Sequence, residues 1–214
     1  MQAFTLYEES VADSRHKITA LQAIVGTLHR CYVFSADNRD ALTQSVTSYA
    51  AKLLKRADQC RAACAASHLA WQEPPPAAAA DGEREQAAAA ARAVPGRQPP
   101  VRDAQKVMAG LKRALKVVAA AKQQRAATVR GGKGGAQHLP LYVEIVNHYL
   151  YYLARGVESM SVGVVQQLLE LVGSELRQHN ADLDAETRSY WQATQRHIHC
   201  LKAADADKYA GLNA

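Results

Sequence analysis

Between Ala57 and Trp71 the only charges are Asp58 and Arg61, both in the first turn of what reads as a helix, and the remainder is apolar or small on every side. A helix of that kind cannot lie on a surface and must be covered on several faces. Cys60, Ala63, Cys64, Ser67, His68 and Trp71 recur at the spacing of one helical face, and Ala62, Ala66, Leu69 and Ala70 make a second. Helices opening near Asp40 and near Val101 are the sequence neighbours able to cover it. The result is a stack of helices rather than a closed bundle.

The rest of the chain repeats the helical period. Ile18, Leu21, Val25, Leu28 and Tyr32 share a face of a helix from about Ser14, which Phe34 to Asn38 end. Leu42, Val46, Tyr49, Ala50 and Leu53 mark a second helix, closing on Lys52, Lys55 and Arg56, cations suited to a helix C-terminus. Residues 73–100 hold six of the seven prolines and two alanine runs, a composition unable to bury enough surface to offset chain entropy, and read as a disordered insertion. A helix over about 101–127 carries Val107, Leu111, Ala114, Leu115 and Val118 on one side and ends at a glycine loop, Gly131 to Gly135. Pro140 opens another with Tyr142, Ile145, Val146, Tyr149 and Leu153 on one face, and Gly156 stops it. Two more run from about Ser161 and from Asp184 to Ala203. The expected fold is all-α, an antiparallel helical-hairpin (HEAT-like) α-solenoid of about seven helices. Its parts are solenoid helices over 1–72, the insertion over 73–100, solenoid helices over 101–203 and a tail over 204–214.

Of 214 residues, 48% are hydrophobic, enough for a sizeable core. No basic n-region opens the chain and nowhere do 18 apolar residues run together, so a soluble, unsecreted protein is expected. Cys60 and Cys64, one helical turn apart, are poorly placed to bridge, which fits a reducing cytosol. The net charge of +6 is concentrated in 101–135, where nine Lys/Arg face Asp103 alone. Lys106, Lys112, Arg113 and Lys116 lie opposite the apolar stripe and read as a solvated face, with phosphate binding as the alternative.

No known catalytic motif stands in a suitable context, and neither an enzyme nor a cofactor is expected. Cys60, Cys64 and His68, or His197, His199 and Cys200, have the right chemistry for a metal but not the spacing of a zinc module. They read as packed core instead.

Longer ordered matches carry more weight than any short motif. Ala3-Phe4, Leu6-Tyr7-Glu8 and Ile24-Val25-Gly26-Thr27 are followed by Lys52-Leu53-Leu54-Lys55, Asp58-Gln59-Cys60-Arg61-Ala62 and Ser67-His68-Leu69-Ala70-Trp71. Leu111-Lys112, Ala114-Leu115-Lys116, Tyr142-Val143-Glu144-Ile145-Val146-Asn147, Tyr151-Tyr152, Gln167-Leu168-Leu169 and Tyr209-Ala210-Gly211-Leu212 keep the register. In these stretches the chain resembles the C-terminal part of the large α-solenoid subunit of retromer, the vacuolar protein sorting scaffold. It departs from the pattern at Ala57, usually proline, at Ala70, usually a large aromatic, and in its two low-complexity insertions.

The resemblance implies a non-enzymatic scaffold in retrograde endosome-to-Golgi and endosomal recycling transport, cytoplasmic and peripheral on endosomal membranes through its partners. The partners it implies are a small metallophosphoesterase-like subunit and a second copy of the chain, with no nucleic acid and no small-molecule substrate. His68 and Trp71 stand where the family faces the small subunit, though as residues they read equally as core. Lys52, Lys55 and Arg56 match the family's self-association cluster, against a plain role as helix-terminal cations. An unrelated helical-repeat module binding nucleic acid through the basic helix is the alternative.

Overall fold

A computed structural model describes residues 2–73, 98–128 and 136–213, with the side chains of 125–128 left aside. The expected insertion over 73–100 and the glycine loop therefore lie almost wholly outside the described residues. Among those described, nine α-helices and two single 3-10 turns occur and no strand. The helices are α1 (Gln2–Glu9), α2 (Ser14–Arg30), α3 (Ala36–Lys52), α4 (Arg56–Ser67), α5 (Ala104–Thr128), α6 (Leu139–Ala154), α7 (Val162–Gln178), α8 (Ala185–Ala204) and α9 (Ala206–Tyr209). The fold class is all-α, built from antiparallel hairpins of the HEAT-like kind, and it divides into two compact units, residues 1–110 and 111–214.

Side-chain caps set the starts. Asp13, Ser35, Ser161 and Asp184 accept from backbone N–H groups of Arg15, Asn38, Val164 and Thr187, satisfying donors that have no partner within the helix. Ser35 corrects the expected start of the second helix from Asp40 to Ala36, because a serine hydroxyl was available five residues earlier. The first helix likewise stops at Arg30, so Tyr32 lies beyond it. Two short helices were not foreseen, α1 and α9, each only one or two turns long and held by a few buried side chains: Phe4 and Tyr7 in the first, Tyr209 in the second.

In the first unit Leu21, Val25, Val46, Ala50, Leu53, Ala62, Ala66 and Leu69 join Phe4 and Tyr7 in one core. Small residues on α4 let neighbours approach closely. A Cβ added to Gly110 of α5 would stand 3.0 Å from that of Ser67. After Ser67 the chain tightens into a 3-10 turn, His68–Ala70, and then extends, with Trp71 at φ −142°. Trp71 is thus not part of the helical stripe expected over 57–71.

Trp71 pairs with Arg102 in an isolated antiparallel bridge, and Gln72 N donates to Val101 O at 2.7 Å. The two ends of the low-complexity stretch therefore leave and re-enter the unit side by side. Gln72 is fully buried; its amide donates to His29 O (2.6 Å) and Cys31 O (3.3 Å), and its carbonyl accepts from Val101 N (3.4 Å). Replacing it with leucine keeps the volume but strips buried backbone groups of partners, and should lower stability by about 2–3 kcal/mol in urea unfolding.

In the second unit α6 packs against both α7 and α8. Sequence periodicity assigned it one face, but Leu141, Val143, Leu150 and Tyr152 are buried as well as Tyr142, Ile145, Val146, Tyr149 and Leu153. Neighbours on two sides explain this, and burial of each such large apolar side chain contributes roughly 1.5–3 kcal/mol. Gly156 adopts φ +69°, the left-handed conformation that turns the chain sharply after α6. Asn147 Nδ2 donates to Thr194 Oγ1 (3.0 Å), tying α6 to α8. The tail packs back onto this unit: Leu212 is fully buried, its carbonyl accepts from Lys202 Nζ (2.8 Å), and Asn213 N donates to Gln166 Oε1 (2.7 Å).

Lys122 of α5 donates to both carboxylate oxygens of Glu175 on α7 (2.6 Å each), and His138 lies beside them with Nε2 at 3.5 Å from Glu175 Oε2. Burial holds the His138 imidazole below its ordinary value, Glu175 opposing and Lys122 and His179 reinforcing; burial does the same to His148, with Glu144 opposing. The bond from Lys122 keeps Glu175 below the usual carboxylate range. A histidine depressed in the folded state favours folding above its unfolded value, near 6.5, and that contribution is lost as pH falls through the folded value. Urea unfolding should therefore show the second unit losing stability as pH is taken from 7.5 to 5, and His138→Gln should flatten the slope.

Candidate protein-interaction site

The sequence-predicted site residues all lie in the first unit. Lys52 is the last residue of α3, Lys55 the N-cap of α4 and Arg56 its first residue, and all three are exposed. The role of helix-terminal cation fits Lys52 alone, whose ammonium also lies 5.7 Å from the Tyr49 ring centroid. Lys55 and Arg56 sit at a helix N-terminus, where the macrodipole disfavours positive charge by roughly 0.3–1 kcal/mol each. Helix stability therefore does not account for them.

The turn that carries these cations is fixed from beneath. Gln59 Nε2 donates to Ala51 O (3.1 Å) and Leu53 O (2.6 Å), while Arg56 Nη1 donates to Gln59 Oε1 (2.9 Å). Leu53 is thereby buried in the core and Leu54 turned outward, 84% exposed. Beside the turn, Tyr49 stacks on Phe4 (5.4 Å between centroids) and donates its hydroxyl proton to Glu8 Oε1 (2.8 Å), which raises the Tyr49 pKa. Tyr7, Glu8, Lys17, Tyr49, Lys52 and Leu53 line an open-sided pocket of about 220 Å³. Sequence reasoning missed this pocket because α1, which supplies two of its walls, was not recognised.

His68 and Trp71 flank the 3-10 turn. His68 is half-buried with its ring edge-on to that of His29 (6.1 Å), whose Nε2 lies 3.2 Å from Trp71 O. Trp71 is only 7% exposed, and the Arg102 guanidinium lies 5.4 Å from its ring centroid. The structure brings the pair close in the chain but gives them different surroundings.

Packing accounts for only part of the other candidates: His197, His199 and Cys200, read as core from the sequence, are exposed on α8. Cys60 and Cys64 are buried, and among the described residues no group of three or more His, Cys, Asp and Glu side chains is placed to hold a metal ion. Lys112, Arg113 and Lys116 point to solvent as expected, whereas Lys106 is bound by Asp40 (2.8 Å) and Asp103 (3.5 Å), which raises its pKa. Tyr152 is fully buried and Tyr151 faces the Arg155 guanidinium at 3.6 Å.

Comparison with known proteins bears on both units. The family model for vacuolar protein sorting-associated protein 35 matches residues 1–175. Among curated proteins, vacuolar protein sorting-associated protein 35B of Arabidopsis thaliana is 37% identical over 94% of this chain and 22% of its own length. Protein 35A of the same plant is 43% identical over 81% of the chain and 19% of its own length. Vacuolar protein sorting-associated protein 35 of Schizosaccharomyces pombe is 32% identical over 82% and 18% respectively. The chain thus spans about a fifth of the length of these relatives. A match that runs from α1 into α7, with a helical fold of the expected class beneath it, places the chain in the vacuolar protein sorting-associated protein 35 family.

Proposed function

We propose that this chain is a non-enzymatic scaffold segment of retromer, serving retrograde endosome-to-Golgi transport and endosomal recycling. In this reading His68 contacts the small metallophosphoesterase-like subunit, and Trp71, packed under Arg102, holds the 3-10 turn that presents it. The turn bearing Lys52, Lys55 and Arg56 meets acidic residues of a second copy. Membrane attachment is indirect, through partners, which accords with the lack among the described residues of any helix long and apolar enough to cross a bilayer.

The observation that carries the reading is the basic turn itself. Three exposed cations, two of them at a helix end that disfavours them, stand within a stretch that resembles the family closely. Exposed charge of one sign steers encounter with a surface of the other and fixes its register. The test is co-purification of the 214-residue chain with the small subunit, followed by gel filtration. Co-elution as a stoichiometric complex is expected; separate elution overturns the assignment.

A further inference from the structure

We propose that Arg39 is a carboxylate-binding site, whose unused guanidinium donors take an acidic group brought from outside this chain.

The fold leaves a buried charge unpaired there. Arg39 is 7% exposed, the only buried Arg, Lys, Asp or Glu among the described residues. An arginine is almost never buried without an anion beside it, because its charge must be stripped of water. Here the side chain makes a single hydrogen bond, from Nη2 to Cys31 O at 2.9 Å, while among the described residues Nε and Nη1 donate to nothing and no carboxylate pairs with them. Burial holds the guanidinium below its ordinary value, opposed only by the Cys31 and Tyr32 side chains.

The acids nearest in the chain are not available to it. Asp40 holds Lys106 Nζ at 2.8 Å, and Asp37 is exposed two residues before Arg39 on α3, a spacing that puts the two on different sides of the helix. Nor does the carbonyl at the end of α2 depend on the arginine, since Cys31 O also accepts from Gln72 Nε2 at 3.3 Å.

The donors are held ready. The backbone of Arg39 is fixed in α3, its N–H donating to Ser35 O and its carbonyl accepting from Thr43 Oγ1, each at 2.9 Å, and the Cys31 bond anchors the guanidinium itself. The unbonded nitrogens keep contact with solvent, since none is a fully buried atom without a partner. A planar fork of donors fixed at a small opening matches a carboxylate, which it can hold through two parallel N–H···O bonds. The single charge of a carboxylate neutralises the single cation, whereas a phosphate dianion would bring a second charge close to Asp37 and Asp40.

Nitrogen-15 NMR of the full chain tests this at the Arg39 Nε–H resonance, assigned by its loss in Arg39→Lys, which keeps the charge and the stem but not the fork. Acetate should shift the resonance saturably, with half-saturation at about 10–100 mM for one charge-assisted pair, and sodium chloride at the same ionic strength should not. A blocked tripeptide with a central glutamate separates the sources: saturation by both probes assigns the site to an acidic side chain of a partner protein, and saturation by acetate alone to a free acid. Thermal melting is the second readout. Acetate should raise the Tm of the parent above its chloride control by more than it raises that of Arg39→Lys. An acetate shift no larger than the chloride shift overturns the proposal, as does an equal gain in Tm for parent and variant, and tighter binding of inorganic phosphate than of acetate overturns the ligand class.

Discussion

A chain carrying His68→Arg should melt as the parent does and fail to hold the small subunit. His68 is half-buried at the start of the 3-10 turn with its ring edge-on to that of His29; its backbone N–H reaches Ala65 O and Ala66 O, and its carbonyl accepts from Trp71 N at 3.2 Å. Arginine preserves both backbone bonds and gives up the ring contact with His29. Its guanidinium can follow the open side of the site to water, so the fold should lose no more than about 1 kcal/mol. In an interface the same group is longer and carries a fixed charge that must be desolvated without a partner, a penalty of roughly 2–5 kcal/mol, or 30-fold to several thousand-fold in affinity. The paired measurement is thermal melting and pull-down with the small subunit. A melting temperature lowered by ten degrees or more would show His68 to be a core residue and sink the interface assignment.

The second large effect concerns charge. Reversing Lys52, Lys55 and Arg56 to glutamate should abolish self-association in light scattering while leaving helicity intact and stability within about 1 kcal/mol of the parent. The sign of the stability change is set by position. At the N-terminus of α4, Lys55→Glu and Arg56→Glu replace unfavourable with favourable interactions with the macrodipole, whereas Lys52→Glu loses a favourable one at the end of α3. Two gains of a few tenths of a kcal/mol thus oppose that loss together with the loss of the Arg56–Gln59 hydrogen bond and of the Lys52 contact with the Tyr49 ring. Association should also weaken in the parent chain as salt rises, because exposed charges are screened over about 8 Å at physiological ionic strength. Unchanged association of the triple variant would remove the basic turn from the interface.

The helices were legible wherever apolar residues kept the 3.6 period over three turns or more: Leu21 and Val25 on α2, Val107 through Val118 on α5, Val165 through Leu176 on α7. Their starts were legible where capping side chains were few, as at Ser161 and Asp184, and at the first helix, where Asp13 and Ser14 both offered, Asp13 is the cap. Ser35 was passed over because the polar run Ser35 to Asp40 offers several candidate caps, and only tertiary packing selects one. At Trp71 the pattern misled. Its spacing from Ser67 is helical, but pairing with Arg102, a residue 31 positions away, draws the chain into an extended conformation. For the site, the cations were readable from sequence, while the pocket beside Tyr49 was not, since it requires α1 to fold back against α2 and α3. Nothing in a linear sequence separates buried Leu53 from exposed Leu54 without the Gln59 bonds that orient the turn.

The bridge between Trp71 and Arg102 makes the chain between them a splice rather than a span. Paired antiparallel residues stand only about 4.5–5.5 Å apart, a gap that a two-residue hairpin closes. The connection from α4 to α5 is thus already complete at the pair, through Gln72 and Val101, before any of the proline-rich sequence is counted. A change in the length of that stretch is therefore expected to leave the helices of the first unit in place, with unchanged thermal melting as the check, and the graft point is where a reporter or a tether can be tried without touching the basic turn or the pocket beside it.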